Sequence, residues 1–218
     1  MITVLVPTLN RPERVISLLN SHQQHSKYSR LFFVISDKDT LKVIKGYDHL
    51  WFDAEYVGKI NKAYKQIKTK YCMLGADDIE FSPDWDIRLM KHFNNPKINV
   101  VGGIDDWPIS QSGVHTSHPV VRTSYFNLPL YQGYIHYMGD IELNQRAWKD
   151  NSIIIDKKVY IPHKHTVNKK AANDTTYQRS SKIIDKDKQL YLSRRHEFEV
   201  WDLNNLYLGK AILSKNAS

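Results

Sequence analysis

Two carboxylates follow directly on an apolar run of strand length. Tyr71-Cys72-Met73-Leu74 leads into Gly75-Ala76-Asp77-Asp78. In open α/β sheets, ligands bind beyond the carboxyl ends of the strands. Adjacent acids placed there can hold a divalent cation, and the cation can hold a diphosphate. A first strand, Ile2 to Val6, runs into Pro7-Thr8-Leu9-Asn10-Arg11-Pro12-Glu13-Arg14, which brings polar groups and a guanidinium to the same sheet end. The combination points to chemistry on a nucleoside diphosphate, with a nucleotide-sugar first among the candidates. Taken alone, an Asp-Asp pair in a β-to-α connection also serves as a turn or a cap.

These residues need a sheet to hold them. Ile2–Val6 is short, β-branched and bounded by Pro7, which reads as a strand. Pro12 suits a first helical turn, and Val15, Leu18, Leu19 and His22 then recur on one helix face. Leu31–Ile35 is a second continuous strand, ending at Ser36-Asp37. Trp51-Phe52 and Tyr56-Val57 read as short extended pieces, and Ile60, Ala63, Tyr64 and Ile67 as a second amphipathic helix. After the acid pair, Ser82-Pro83-Asp84 predicts a helix start, with Trp85, Leu89 and Phe93 as its buried stripe. Asn99–Ile104 is a strand ending at Asp105-Asp106-Trp107. Residues 108–133 are rich in Pro, Ser, Gly and His and read as a long loop around a short strand, Pro119 to Arg122. Asp140–Trp148 reads as a helix, and Ile153–Ile155 and Val159–Ile161 as the last strands. Strand–helix alternation of this kind predicts an α/β fold with a mostly parallel sheet flanked by helices.

The chain has 218 residues, 41% of them apolar, enough for one domain with its own core. We divide it into a domain over 1–195 and a basic C-terminal arm or lid over 196–218. No stretch of eighteen apolar residues occurs, so no membrane span is expected. No basic leader or apolar signal core precedes the first strand, which argues against export. The single cysteine, Cys72, cannot form an internal disulfide, which fits a reducing cytoplasm, and its place in a strand makes it core. The net charge of +8 favours an anionic partner such as nucleotide phosphates or nucleic acid.

Four segments carry a family resemblance. VPTLNRPERVISLLNS (6–21) resembles the opening of glycosyltransferase family 2. YCMLGADDIEFSPDWD (71–86) resembles its acidic metal motif, GDIELNQRAWK (139–149) its acceptor-side motif, and PHKHTVNKKAANDTTY (162–177) its histidine segment. They stand in the family's order and span about residues 2–177. The resemblance implies a single GT-A domain with a Rossmann-like sheet. It also implies an inverting transfer from a UDP-sugar with Mn²⁺, or Mg²⁺, as cofactor. The small size and motif style look like enzymes of bacteriophage origin.

The resemblance also assigns roles. Asp78 matches the family's last metal-motif acid and is the first choice as direct ligand. Asp77 would act through the ribose or a metal-bound water. The family's first acid falls on Ala76, a departure that leaves one contact without its carboxylate. His163 and His165 are the candidates for a further ligand. Their mixed donor set with Asp78 suits Mn²⁺ better than Mg²⁺. Pro7, Thr8, Asn10 and Arg11 would line the nucleotide, with Arg11 on a phosphate oxygen. Asp37 would accept from the base or ribose, and Lys59 and Asn61 match the base-proximal region. Asp140 falls on the family's catalytic base, with Glu142 as runner-up. Asp105, Asp106 and Trp107 could hold sugar hydroxyls or stack on a sugar. For each, a cap, turn or packing role is the alternative.

The acceptor is not legible in these motifs. Basic clusters at 164–170 and around Arg179, Lys182, Arg194 and Arg195 could line a phosphate backbone. A hydroxymethylated pyrimidine in DNA is then one acceptor, and a surface glycan or protein another. A non-enzymatic nucleic-acid-binding protein is the alternative outside catalysis. A nucleotidyltransferase is disfavoured, because the turn after the first strand contains no glycine.

Overall fold

A computed structural model of the chain describes residues 1–165, 170 and 174–201. Its elements alternate from the start: β1 (Ile2–Pro7), α1 (Pro12–His25), β2 (Ser29–Ile35), α2 (Lys38–Val43), β3 (Asp48–Trp51), α3 (Tyr56–Tyr64) and β4 (Tyr71–Leu74). There follow α4 (Trp85–His92), β5 (Val100–Ile104), α5 (Pro108–Ser112), β6 (Val120–Arg122), α6 (Gly139–Lys149) and β7 (Ile153–Tyr160), then α7 (Thr175–Ser181) and α8 (Ile184–Arg194). The strands lie in the order β3-β2-β1-β4-β6-β5-β7. All neighbours are parallel except β6, which runs antiparallel to both β4 and β5. The expected mostly parallel α/β sheet is therefore present.

Strand side chains alternate between two faces. Tyr71 and Met73 of β4 join Val4, Val6, Val15, Leu18, Trp85 and Leu89 on the α1/α4 face. Cys72 and Leu74 join Leu5, Val34, Ile60, Ile141 and Ala147 on the α3/α6 face. Cys72 is fully buried there as a free thiol, and burial pushes its pKa up, which makes it an unreactive core residue. Phe198 and Trp201, in the segment assigned to the arm, are buried in that same cluster. Residues 202–218 lie outside the described residues. No helix among the described residues is long and apolar enough to cross a membrane.

Several local expectations differ from the structure: α2 was not expected, and α5 lies in the stretch read as a loop. Tyr56-Val57 is not extended but forms the first turn of α3, because Val57 continues the buried stripe of Ile60 and Tyr64. The helix expected at Ser82 starts at Trp85 instead. Asp84 before it is left-handed (φ 57°) and no side chain caps the end. The two final strands are one, whose register against β5 slips between Gly103 and Ile104, so the polar Asp156-Lys157-Lys158 stretch does not end it. Helices α7 and α8 were not expected, because their buried residues (Tyr177, Ser180, Asp187 and Tyr191) include no aliphatic side chain to show periodicity.

Candidate active site

The acid pair owes its position to a close contact between β4 and β1. Gly75 donates to Leu5 O at 2.9 Å, and a Cβ on Gly75 would lie 2.8 Å from that same oxygen. Only glycine lets the chain leave β4 this close to its neighbour. Asp77 and Asp78 then fall at the carboxyl ends of β1 and β4, both buried. Arg11 at the head of α1 reaches Asp77 Oδ1 at 3.2 Å and Asp174 Oδ1 at 2.8 Å, with its guanidinium 4.1 Å from the centre of the Tyr177 ring. Arg14, one turn on, donates to the Tyr177 hydroxyl at 2.7 Å and to Asp174 Oδ2 at 3.2 Å, and stands 3.7 Å from Asp78 Oδ2. Tyr177 in turn donates to Asp78 Oδ2 at 2.6 Å. In this structure Arg11 therefore faces carboxylates.

A short antiparallel pairing brings the histidines in. Ile79 bridges His163, Lys164 N donates to Asp78 O at 2.7 Å, and Glu80 N donates to Pro162 O at 2.9 Å. This puts His163 Nε2 3.3 Å from Asp78 Oδ1 and its Nδ1 4.0 Å from Asp105 Oδ2. Burial raises the Asp78 pKa, but His163, the Tyr177 hydroxyl and His165 together outweigh it and hold Asp78 far below the usual carboxylate range. Burial likewise lowers His163, and Asp78 outweighs that to raise it. Asp77 is pushed up by burial, against the pull of Arg11 and with the repulsion of Asp78. His165 packs 4.6 Å from the Tyr177 ring, and burial lowers its pKa to about 4, so it is neutral at pH 7.

Asp105, at the end of β5, and His118, just before β6, complete this end of the sheet. Ligand atoms of Asp105, His118 and His163 lie within 4.8 Å of one another. Asp78 Oδ1, Asp105 Oδ2 and His118 Nε2 are buried and lack a hydrogen-bond partner among the described residues. A buried polar atom without a partner is costly, and such atoms cluster where a ligand belongs.

On the acceptor side, Asp140 opens α6 in its first turn. The ring Nε2 of the fully buried His115 lies 3.3 Å from Asp140 Oδ2. Burial raises the Asp140 pKa, and His115, the Ile141 N–H and His118 together override it, so the carboxylate is held below its usual range. Asn144 donates to Asp140 O at 2.7 Å and exchanges two 3.0 Å bonds with the Thr116 backbone, which fastens the His115 loop to α6. Tyr56 donates to Gly75 O at 3.3 Å, and the charges of Asp140 and Asp78 both add to burial in raising its pKa. Tyr56 thus lies within electrostatic reach of both acids.

Other expected residues have different positions. Glu142 is buried and its oxygens accept from Tyr134 (2.8 Å), Arg146 (2.7 Å) and Arg194 (3.0 Å), so the carboxylate is engaged by three neighbours. Asn61 spends both amide groups on the Leu130 backbone, at 2.8 and 3.2 Å. Asp106 accepts from Tyr160, Lys170 and the His163 N–H (2.9 Å); it anchors the histidine segment instead of offering itself to a sugar. Trp107 is half-buried, with its ring 5.7 Å from that of His115 and nearly perpendicular to it. Lys59 clamps the ends of β1 and β2 through Thr8 O (2.7 Å) and Ser36 Oγ (3.0 Å). Asp37 caps α2 and accepts from the N–H of the left-handed Asn10 at 2.9 Å, which pins the Pro7–Arg11 turn across the sheet end. Thr8 stands beside Asp77. Of the basic cluster, Arg179 pairs with Glu55 (2.5 Å), Arg194 with Glu142, and Arg195 with Glu199 (3.6 Å). Part of the histidine motif and of the 164–170 cluster, at 166–169 and 171–173, lies outside the described residues. Arg14, Tyr56, His115, His118, Asp174 and Tyr177 were missed; only the histidine content of 108–133 hinted at any of them.

No family model and no curated protein matches the chain. Solved structures do. The mannosyltransferase PcManGT from Pyrobaculum calidifontis, solved with GDP-Man and Mn²⁺, superposes with a TM-score of 0.59 at 12% identity, over 74% of this chain and 56% of that one. S. aureus TarS in complex with UDP-GlcNAc gives 0.57 at 14% identity, over 75% and 59%. Glucosyl-3-phosphoglycerate synthase from Mycobacterium tuberculosis, solved with Mn²⁺, UDP-glucose and phosphoglyceric acid, gives 0.60 at 11% identity, over 76% and 72%. The match thus spans little more than half the length of the first two. These neighbours are GT-A-type proteins, and the chain has the GT-A fold.

Proposed function

We propose that the chain is an inverting, metal-dependent glycosyltransferase that takes a sugar from a nucleoside-diphosphate donor, with a UDP-sugar first, and passes it to an acceptor hydroxyl. One observation carries this reading: on a GT-A sheet, the buried Asp78 beyond β4 has His163 at 3.3 Å, and the charges of Asp78 and Asp140 both reach Tyr56. The neighbours support the donor class, since their titles name GDP-Man, UDP-GlcNAc and UDP-glucose, two of them with Mn²⁺. Asp78 and His163 fit a divalent metal, because Asp78 Oδ1 is a buried oxygen without a hydrogen bond and faces an imidazole at 3.3 Å. Such an ion, when bound, stabilises charge on a departing diphosphate.

The protein's own groups do the rest. Asp140, kept ionised by His115, takes the proton of the acceptor hydroxyl as its oxygen bonds to the anomeric carbon. The bond from that carbon to the diphosphate breaks in the same displacement, and the electron pair leaves with the phosphate. Arg11 and Arg14 hold positive charge beside the acid pair, where an anionic donor needs it. A reducing, cytoplasmic setting belongs to this reading and is supported by the single buried cysteine.

The finer reading, transfer to a hydroxymethylated pyrimidine in DNA, rests on the net charge of +8. Arg179, Arg194 and Arg195 each pair with an acid, so these three are locally neutralised and offer a phosphate backbone less than their number suggests. Screening UDP-sugars against modified DNA and simple glycans, with mass detection, separates the acceptors. The reading itself is tested by melting temperature. UDP with Mn²⁺ raises it, EDTA removes the rise, and Asp78→Asn abolishes it. No metal-linked shift with either UDP or GDP would sink the proposal.

A further inference from the structure

His118 has no part in the reading so far, and its surroundings are unusual. It is 5% exposed, and its Nδ1 lies 3.2 Å from Leu74 O. A carbonyl oxygen only accepts, so Nδ1 must carry the proton. In the neutral ring Nε2 is then a bare lone pair. This nitrogen is buried and receives no hydrogen bond among the described residues. Asp105 is 2% exposed and repeats the pattern. Its Oδ1 accepts the Trp107 N–H at 2.8 Å, while its Oδ2 is buried and accepts no hydrogen bond among the described residues. Two buried electron-pair donors thus stand at the same end of the sheet without a hydrogen bond from the described residues. His163 is the third group, with its ring centre 4.8 Å from that of His118 and its Nδ1 4.0 Å from Asp105 Oδ2.

A cation satisfies all three groups at once. An Nδ1–H bonded to a backbone carbonyl is the usual way in which a metal-binding histidine is oriented through its other nitrogen. Metal–ligand bonds of about 2.1 Å place ligand atoms at most about 4 Å apart, so ligand atoms now within 4.8 Å need close by less than about 1 Å. Two imidazoles and one carboxylate suit a borderline cation such as Zn²⁺ or Mn²⁺, whereas Mg²⁺ prefers oxygen.

We infer that Asp105, His118 and His163 form a divalent-cation site built wholly from protein side chains, so that the chain binds Zn²⁺ or Mn²⁺ before any nucleotide arrives. The inference rests on the glycosyltransferase reading for the place of the metal and not for the reaction. A site made of Asp78 and His163 alone would leave most positions to the diphosphate and bind metal weakly without it. Asp105 and His118 remove that dependence.

Calorimetry on the full chain, stripped with EDTA and free of nucleotide, tests this with Zn²⁺ and Mn²⁺ separately. One ion should bind per chain, and His118→Asn and Asp105→Asn should each weaken it by about tenfold or more. Because a buried substitution can unfold the chain, the unmodified protein supplies a second measurement. In ¹⁵N-histidine spectra, Zn²⁺ should shift Nε2 of His118 and leave its Nδ1 protonated. An unmoved Nε2 at saturating Zn²⁺, or unchanged affinity in folded His118→Asn, overturns the site. If metal then binds only together with UDP, the inference fails and the glycosyltransferase reading stands. Nucleotide-free binding lost in His118→Asn, with no UDP-linked shift, upholds the site and removes the reading.

Discussion

Helix α6 presents two acids two residues apart, and the structure treats them in opposite ways. Among the described residues the Asp140 carboxylate has one ion-pair partner, His115 at 3.3 Å, and its side chain keeps 24% of its exposure. Glu142 is 4% exposed and binds Tyr134, Arg146 and Arg194. The first is charged with capacity to spare, and the second has spent its capacity on joining α6 to α8. A carboxylate can act as a base only if an oxygen is open to the substrate's proton. Burial with full pairing marks a joint, and burial with spare acceptors marks a site.

The largest expected effect comes from removing the open acid. Asp140→Asn should lower turnover about 10³-fold, roughly 4 kcal/mol in the barrier, while the UDP- and Mn²⁺-linked melting shift persists. Retained turnover would take Asp140 out of the base role. The joint should respond in the other currency. Glu142→Ala leaves Arg146 and Arg194 with only the half-exposed Glu197 between them as counter-charge, at a cost of about 2–3 kcal/mol of stability by denaturant unfolding. That is below the 3–5 kcal/mol of a fully buried pair, because Arg146 is partly solvated. A folded, fully stable Glu142→Ala protein that loses turnover would reverse the comparison.

A smaller effect is set by pH. Asp78 and Asp140 both have folded pKa values depressed below the ordinary value near 4. A depressed carboxylate contributes stability that is fully present above its unfolded pKa and lost as pH falls through its folded pKa. The protein should therefore lose stability progressively below about pH 4. Asp140→Asn, which lacks one of these groups, should lose less over the same acid range in urea melts at fixed temperature. Parallel curves for the two proteins would show that His115 does not hold the Asp140 charge.

Much of the scaffold was visible locally. Tyr71–Leu74 followed by Gly75 and two acids needed no distant information, since strand, tight exit and carboxylates are consecutive. The stripe of Val15 and Leu18 on α1 and that of Trp85 and Leu89 on α4 were equally plain in their spacing. The expectation failed at Tyr56-Val57, where aromatic and β-branched residues mimic a strand, and over α7 and α8, whose buried residues are tyrosines and polar groups. His118 was present in the sequence only as one histidine in an irregular loop. Its chemistry appears when β6 inserts between β4 and β5 and sets it over Leu74.

Residue type and spacing by themselves determined the layered α/β sheet, the acids at its edge and the excess of positive charge, because periodicity and turn chemistry act over a few residues. Tertiary structure alone decided which acids remain open. Tyr177 reaches Asp78 across 99 positions and Arg194 reaches Glu142 across 52. Hydrogen-bond capacity is finite and is claimed by whatever the fold brings near, so the availability of a carboxylate is a property of its neighbours in space and not of its neighbours in the chain.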